Sequence, residues 1–189
     1  MKYIAITGGI GSGKSYVCRL LGRHGIRVYD CDDAAKRLYY TDKQLQGELK
    51  QLVGNDVYVG NRLQKRILAQ FLLSSEENKQ AVNDVVHPAV ARDFMQSGMQ
   101  WLESAILFDS GFYRRVPFSF IVCVSAPKDV RLDRVMKRDG ISREKALEWI
   151  DSQWPQEEVE QKSDFIVVND GKRDLDEQVL QLLSKIDTL

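Results

Sequence analysis

Residues 7–16 read TGGIGSGKSY, directly behind the apolar run Tyr3-Ile4-Ala5-Ile6. Gly8, Gly13, Lys14 and Ser15 satisfy the spacing G-x-x-x-x-G-K-[ST], in which backbone N–H groups cradle phosphates, the lysine reaches the outer phosphates and the hydroxyl holds Mg²⁺. Glycines permit the positive φ and close backbone approach such a nest needs, and a helix starting near Gly13 points the positive end of its dipole at the anion. The β-branched and aromatic run before the loop and the helix-compatible Tyr16 to Leu21 after it supply the strand–loop–helix context. A dinucleotide-binding loop would need glycines at relative positions one, three and six. Neither Gly9-x-Gly11 nor Gly11-x-Gly13 is completed, so that class is excluded.

Alternation of strands and helices sets the fold class. Strand signals fall at Tyr3–Ile6, Gly25–Tyr29, Ser104–Phe108, Phe118–Val124 and Phe165–Val168. Helical periodicity covers Ala34–Tyr40, Lys43–Val53, Leu63–Leu73, Glu76–Met95, Lys128–Arg138, Ser142–Gln153, Gln156–Gln161 and Leu175–Ile186, with no strong strand signal between 34 and 98. This predicts an α/β protein with a parallel five-stranded sheet wrapped on both faces and a helical insertion after the second strand. The 189 residues allow one domain with an inserted lobe. Twenty-seven basic residues balance twenty-seven acidic ones, so no global field favours nucleic acid or an anionic membrane. Three cysteines without metal or disulfide spacing suit a reducing compartment. No signal segment or twenty-residue apolar run is visible, which points to a soluble, cytoplasmic protein.

Ligands of parallel sheets bind beyond the carboxyl ends of the strands. The phosphate loop, Asp30 to Asp33, Asp109 and Asn169-Asp170-Gly171 all follow predicted strand ends and are expected to share one rim. On an extended strand end Asp30 and Asp32 would face the same way, and either can serve as a proton acceptor or hold a metal through water. Asp33 reads as the cap of the next helix. Asp109 fits a metal-orienting carboxylate or a turn cap. Arg131, Arg134 and Arg138 share a helix face that can either close on triphosphate oxygens or stand in solvent. Asp139-Gly140 beside them suits a mobile lid. His87-Pro88 should bend or end its helix, with His87 packed rather than catalytic.

Taken together and in order, Thr7 to Ser15, Asp30-x-Asp32, Val86-His87-Pro88, Ile106-Leu107-Phe108-Asp109, Arg138-Asp139-Gly140-Ile141-Ser142 and Asp164 to Asn169 resemble the dephospho-coenzyme A kinase family. The resemblance runs to about residue 171. It implies a three-layer phosphate-loop kinase with a core (1–33, 99–135 and 162–189), a helical acceptor-binding insertion (34–98) and a helical lid (136–161). The implied reaction moves the γ-phosphoryl of ATP to the ribose 3′-hydroxyl of dephospho-coenzyme A. By the same resemblance Gly8, Gly9, Gly11, Ser12, Gly13, Lys14, Ser15 and Tyr16 wrap the ATP phosphates, with Ser15 on Mg²⁺. Asp32 is the base, Arg138 and Arg134 close from the lid, Asn169 lies near the adenine, and His87 and Asp109 line the acceptor side. The chain departs from the family pattern at Tyr16 (usually threonine), Asp109 (commonly glutamate), Ala105 (often proline) and Cys31 (frequently alanine). Leu63-Gln64-Lys65-Arg66 places its arginine one position late and receives no role.

Three other classes share parts of this pattern. Another small-molecule kinase would use the same core with a different acceptor. A GTP-dependent switch would require N-K-x-D and D-x-x-G elements, and neither occurs. A non-catalytic nucleotide-binding protein would have no need of Lys14, Ser15 and Asp32 together.

Overall fold

The computed structural model describes residues 2–188. In chain order it runs β1 (Tyr3–Thr7), α1 (Lys14–Arg23), β2 (Val28–Asp30), α2 (Cys31–Thr41), α3 (Lys43–Val53), β3 (Tyr58–Val59), β4 (Arg62–Leu63), α4 (Lys65–Ser74) and α5 (Glu76–Gln96). The second half is β5 (Trp101–Glu103), β6 (Phe118–Ser125), α6 (Lys128–Asp139), α7 (Arg143–Asp151), α8 (Gln156–Gln161), β7 (Phe165–Val168) and α9 (Leu175–Asp187). Five strands form one sheet in the order β2-β5-β1-β6-β7, and the pairs β1–β5, β1–β6 and β6–β7 are parallel. The α/β class read from the sequence holds. The chain divides into two compact units, Met1–Tyr29 with Met99–Leu189, and Asp30–Gly98.

In the first unit the sheet is apolar because both faces are covered. Ile4 and Ile6 of β1 join Phe120, Val122 and Val124 of β6 and Val167 of β7 in a cluster with Val17, Leu20 and Leu21 of α1 and Val179 and Leu182 of α9. A near-continuous hydrophobic run is what a strand buried on two sides requires. A second, smaller cluster holds Leu132 and Val135 of α6 against Ala146 and Ile150 of α7, and Ile10 of the glycine-rich loop packs onto it.

The second unit is mainly helical. Helix α5, Glu76–Gln96, continues through Pro88, so of the expected bend or end, the end does not occur, and the predicted helix Glu76–Met95 is present. A proline costs one backbone bond, and tertiary packing of Val86, Ala89, Val90, Ala91 and Phe94 outweighs it. Arg37 of α2 grips Asp93 of α5 with both guanidinium nitrogens. A short antiparallel hairpin, Tyr58–Val59 with Arg62–Leu63, interrupts the helices, where no strand was expected. Two-residue strands carry too little periodicity to be read from sequence.

The predicted strand Ser104–Phe108 is a turn, and the strand lies three residues earlier. Register explains the shift: Ile4, Ala5 and Ile6 pair with Trp101, Leu102 and Glu103, and Ser104 N closes the ladder by donating to Ile6 O at 2.9 Å. Leu107 and Phe108 are buried, but through side-chain packing, with the Phe108 ring stacked 6.1 Å from Trp154. Apolar composition there signalled burial and not pairing.

Burial has a titration consequence at Cys123 in β6. Its thiol is pushed from 9.0 up to about 12, mainly by burial and secondarily by the Glu160 charge. A raised folded-state pKa means the unfolded chain releases the proton first, so stability should fall as pH rises from about 9 toward 12. Ellman's reagent at pH 8 is expected to leave Cys123 unmodified until denaturant is added, and fast modification of native protein would contradict that burial.

Candidate active site

The loop between β1 and α1 forms because its carbonyls are tied from one side. Arg131 Nε donates to Ile10 O at 2.9 Å, Arg134 donates to Gly11 O and Ser12 O, each at 3.3 Å, and Asn169 Nδ2 donates to Ser12 O at 2.9 Å. Arg134 also donates to Asn169 Oδ1 at 3.1 Å, which fixes the amide orientation. With three carbonyls held this way, the loop's remaining polar capacity is in its N–H groups. Ile10 N donates to Gln153 Oε1 at 2.7 Å and Ser12 N to Gly9 O at 3.1 Å, whereas the amides of Gly11, Gly13 and Ser15 take no partner among the described residues. Helix α1 has no side-chain cap, so its first turn presents orphan donors, the usual arrangement for an anion.

Close packing explains the glycines. Gly13 holds φ 95° as the residue preceding α1, and a Cβ on it would overlap Asn169 Nδ2. A Cβ on Gly9 would overlap the Arg131 guanidinium. Gly8 and Gly11 also adopt positive φ. Gly13→Ala is therefore expected to lower stability by about 1–3 kcal/mol from backbone strain and to displace Asn169; a thermal melt indistinguishable from wild type would argue against this geometry.

Lys14 is 8% exposed, and its Nζ donates to Gly8 O at 2.8 Å and stands 3.8 Å from Glu103. It thus lies folded along its own loop, held by a carbonyl and a carboxylate. Ser12 Oγ is buried without a hydrogen-bond partner among the described residues. Ser15 is exposed at the first turn of α1, and its hydroxyl takes no partner among the described residues. An uncommitted hydroxyl, orphan amides and a buried ammonium form a donor set suited to polyphosphate with a hard cation at Ser15. Tyr16 is 42% exposed with the Arg19 guanidinium over its ring at 5.5 Å.

The lid-proximal arginines separate by environment. Arg131, read from spacing as phosphate-facing or solvated, is neither. It is 4% exposed and braces the loop, with a further bond to Gln156 Oε1 at 3.0 Å, and burial lowers its pKa. Arg134 braces the same loop. Arg138 is exposed and pairs with neighbouring Asp139. Asn169, which directly follows β7, is buried and donates its N–H to Ser125 O at 2.7 Å. Asp109 does not end a strand; Trp154 N donates to its Oδ1 at 2.6 Å. Gln153 was not singled out from sequence, because its role depends on a partner 143 positions away.

In the second unit the acidic cluster is resolved. The strand ends at Asp30, which accepts the Asp33 N–H at 2.9 Å and is itself the cap of α2. Asp33 lies in the first turn and pairs with Lys36 at 2.8 Å, so it is not the cap. Asp32 is also helical, which removes the premise that it alternates with Asp30 along a strand. Its exposed carboxylate accepts no hydrogen bond from any described residue. His87 is half-buried midway along α5.

Comparison with known proteins decides the family. The family model described as dephospho-CoA kinase matches residues 2–174. The chain belongs to that family. A Bacteroides fragilis dephospho-CoA kinase is 39% identical over 188 residues, covering 96% of this chain and 91% of its own. A Thermus thermophilus crystal structure superimposes with a TM-score of 0.82 at 35% identity, covering 98% and 97% of the two chains. Shikimate kinase from Acinetobacter baumannii, 12% identical with a TM-score of 0.59, covering 100% and 94%, shares the fold. This dephospho-CoA kinase family member is thus a kinase that uses ATP to phosphorylate dephospho-CoA, the last step of coenzyme A biosynthesis. No helix among its described residues is long and apolar enough to cross a membrane.

Proposed function

We propose that the γ-phosphoryl of ATP is passed to the ribose 3′-hydroxyl of dephospho-CoA, giving coenzyme A and ADP, through the residues described above. The observation that carries this reading is the phosphate loop, whose carbonyls are tied off by Arg131, Arg134 and Asn169 while the amides of Gly11, Gly13 and Ser15 stay uncommitted. Such preorganised donors stabilise charge without reorganising during the reaction. Lys14 leaves Gly8 O for the outer phosphates, and Gly8 to Tyr16 bind the nucleotide phosphates. Asn169 and Arg134 border the adenine. Asp32 orients the 3′-hydroxyl and takes its proton late, because the transition state is loose. Its uncommitted carboxylate distinguishes it from Asp30, which is spent on capping. His87 and Asp109 contribute to the acceptor side.

Among the described residues no group of three or more His, Cys, Asp or Glu is placed to hold a metal. Mg²⁺ would therefore take Ser15 Oγ as its protein ligand and its remaining ligands from phosphate and water. Bound there, it would neutralise charge on the β and γ oxygens. Residues 136–161 serve as the lid and 34–98 as the acceptor-binding insertion. Arg138 exchanges Asp139 for a phosphate oxygen on closure, which costs little because solvent screens an exposed ion pair. The protein is placed in the cytoplasm, acting on a small molecule and not on nucleic acid or membrane.

The test is ADP release from Mg-ATP with dephospho-CoA, AMP, CMP or no acceptor. Release with dephospho-CoA alone, with coenzyme A as product, is the expected result; release with a nucleoside monophosphate instead would overturn the acceptor.

A further inference from the structure

Ile10, at the tip of the phosphate loop, is held at every group it has. Its N–H donates to Gln153 Oε1 at 2.7 Å, its carbonyl accepts from Arg131 Nε at 2.9 Å, and its side chain packs on the cluster of Leu132, Val135, Ala146 and Ile150. All of these partners lie between residues 131 and 153, and none is in the loop or its flanking β1 and α1. The turn that carries Gln153 is anchored in its own right, since Trp154 N donates to Asp109 Oδ1 at 2.6 Å. Arg131 is anchored through Gln156 Oε1 at 3.0 Å, whose amide nitrogen donates to Ser125 Oγ at 2.6 Å. The result is a bracket with one foot on β6, one on the 104–111 turn, and its grip on Ile10.

We infer that Gln153, with Arg131, is a positioning residue for phosphoryl transfer: it withdraws the Ile10 amide from the nest and sets the loop shape in which the Gly11, Gly13 and Ser15 amides converge on phosphate. The bond assignment supports this, since an amide already donating to Gln153 cannot also donate to a phosphate, which leaves the Gly11, Gly13 and Ser15 amides as the uncommitted donors on the α1 side of Ile10. Loop shape is thereby mounted on the α6–α7 segment that leads into and out of Gly140. Asp109, which stands off any strand end, supports the turn that carries Gln153 by accepting the Trp154 N–H.

The bracket serves position more than stability. Arg131 and Gln153 line a cavity of about 420 Å³ together with Lys128, Asp151, Trp154 and Gln156, so the Gln153 side chain borders open space and its replacement need not disturb a packed core. The Gln153 side-chain nitrogen has no partner among the described residues. Replacing it with an oxygen leaves the bond to Ile10 intact.

Two variants separate the roles. Gln153→Met keeps length and volume but has no acceptor, and Gln153→Glu keeps the acceptor oxygen. This rests on the nucleotide reading of the loop, so ADP and adenosine affinities are first measured on the wild type by calorimetry; absence of ADP binding there would sink that reading, not the bracket. Given wild-type binding, Gln153→Met is expected to weaken ADP about tenfold, the equivalent of one lost hydrogen bond, and to raise the KM for ATP similarly. Adenosine affinity and melting temperature should stay near wild type, and the Ile10 amide should show faster hydrogen exchange by NMR. Gln153→Glu should restore ADP affinity and Ile10 protection. Unchanged ADP binding in the Met variant, equal loss of adenosine and ADP, or a Glu variant as impaired as Met would each overturn the assignment.

Discussion

Asp32→Asn is expected to lower turnover by about 10²–10⁴-fold, the range of a general base, while ATP affinity stays near wild type. The substitution is isosteric and removes only the charge and the proton-accepting capacity. The Asp32 carboxylate accepts no hydrogen bond from any described residue, and the cap of α2 rests on Asp30, so the substitution removes no side-chain hydrogen bond. A control follows directly. Asp30→Ala should cost roughly 1 kcal/mol of stability from the lost cap, an effect Asp32→Asn should not show. Steady-state kinetics with both substrates, alongside thermal melts, provide the measurement. Equal turnover in Asp32→Asn would remove that carboxylate from the mechanism.

Lys14→Met is expected to reduce kcat by about 10²–10³-fold, as for loss of one preorganised donor to transition-state charge, and to weaken ATP. The side chain is 8% exposed and its stem fits a methionine of similar length. Glu103, 3.8 Å from the ammonium, loses its cation. Two results are therefore coupled: activity falls, and repulsion between Glu103 and a phosphate is no longer offset by the ammonium. Binding of ADP should weaken more than binding of adenosine, because only the phosphates contact Lys14. A variant with wild-type kcat would show that the lysine has no part in transfer.

Local pattern was legible wherever one residue type performs one task. The loop spacing, the α/β class, and helices Lys43–Val53 and Gln156–Gln161 to the residue were read from periodicity and turn chemistry alone. Reading failed where partners are distant. Ser104–Phe108 looks like a strand because its residues are buried, but hydrogen-bond register with β1 selects Trp101–Glu103 instead. Asp33 looked like a cap until the helix began at Cys31, which made Asp30 the cap. Arg131, Arg134 and Arg138 share a helical spacing, yet one is buried against Ile10 O, one bridges to Asn169 and one stays in solvent. Helical spacing specifies a face and not what that face meets.

By itself, then, the sequence determined that this chain carries a phosphate-binding loop on a parallel α/β sheet, because glycine, lysine and serine at fixed spacing leave few conformational alternatives. Tertiary structure alone decided which aspartate remains uncommitted, which arginines brace the loop and which groups Gln153 and Asp109 hold. Each of these depends on a hydrogen bond between residues remote in sequence or on the residue at which a helix starts, and neither is encoded in local periodicity.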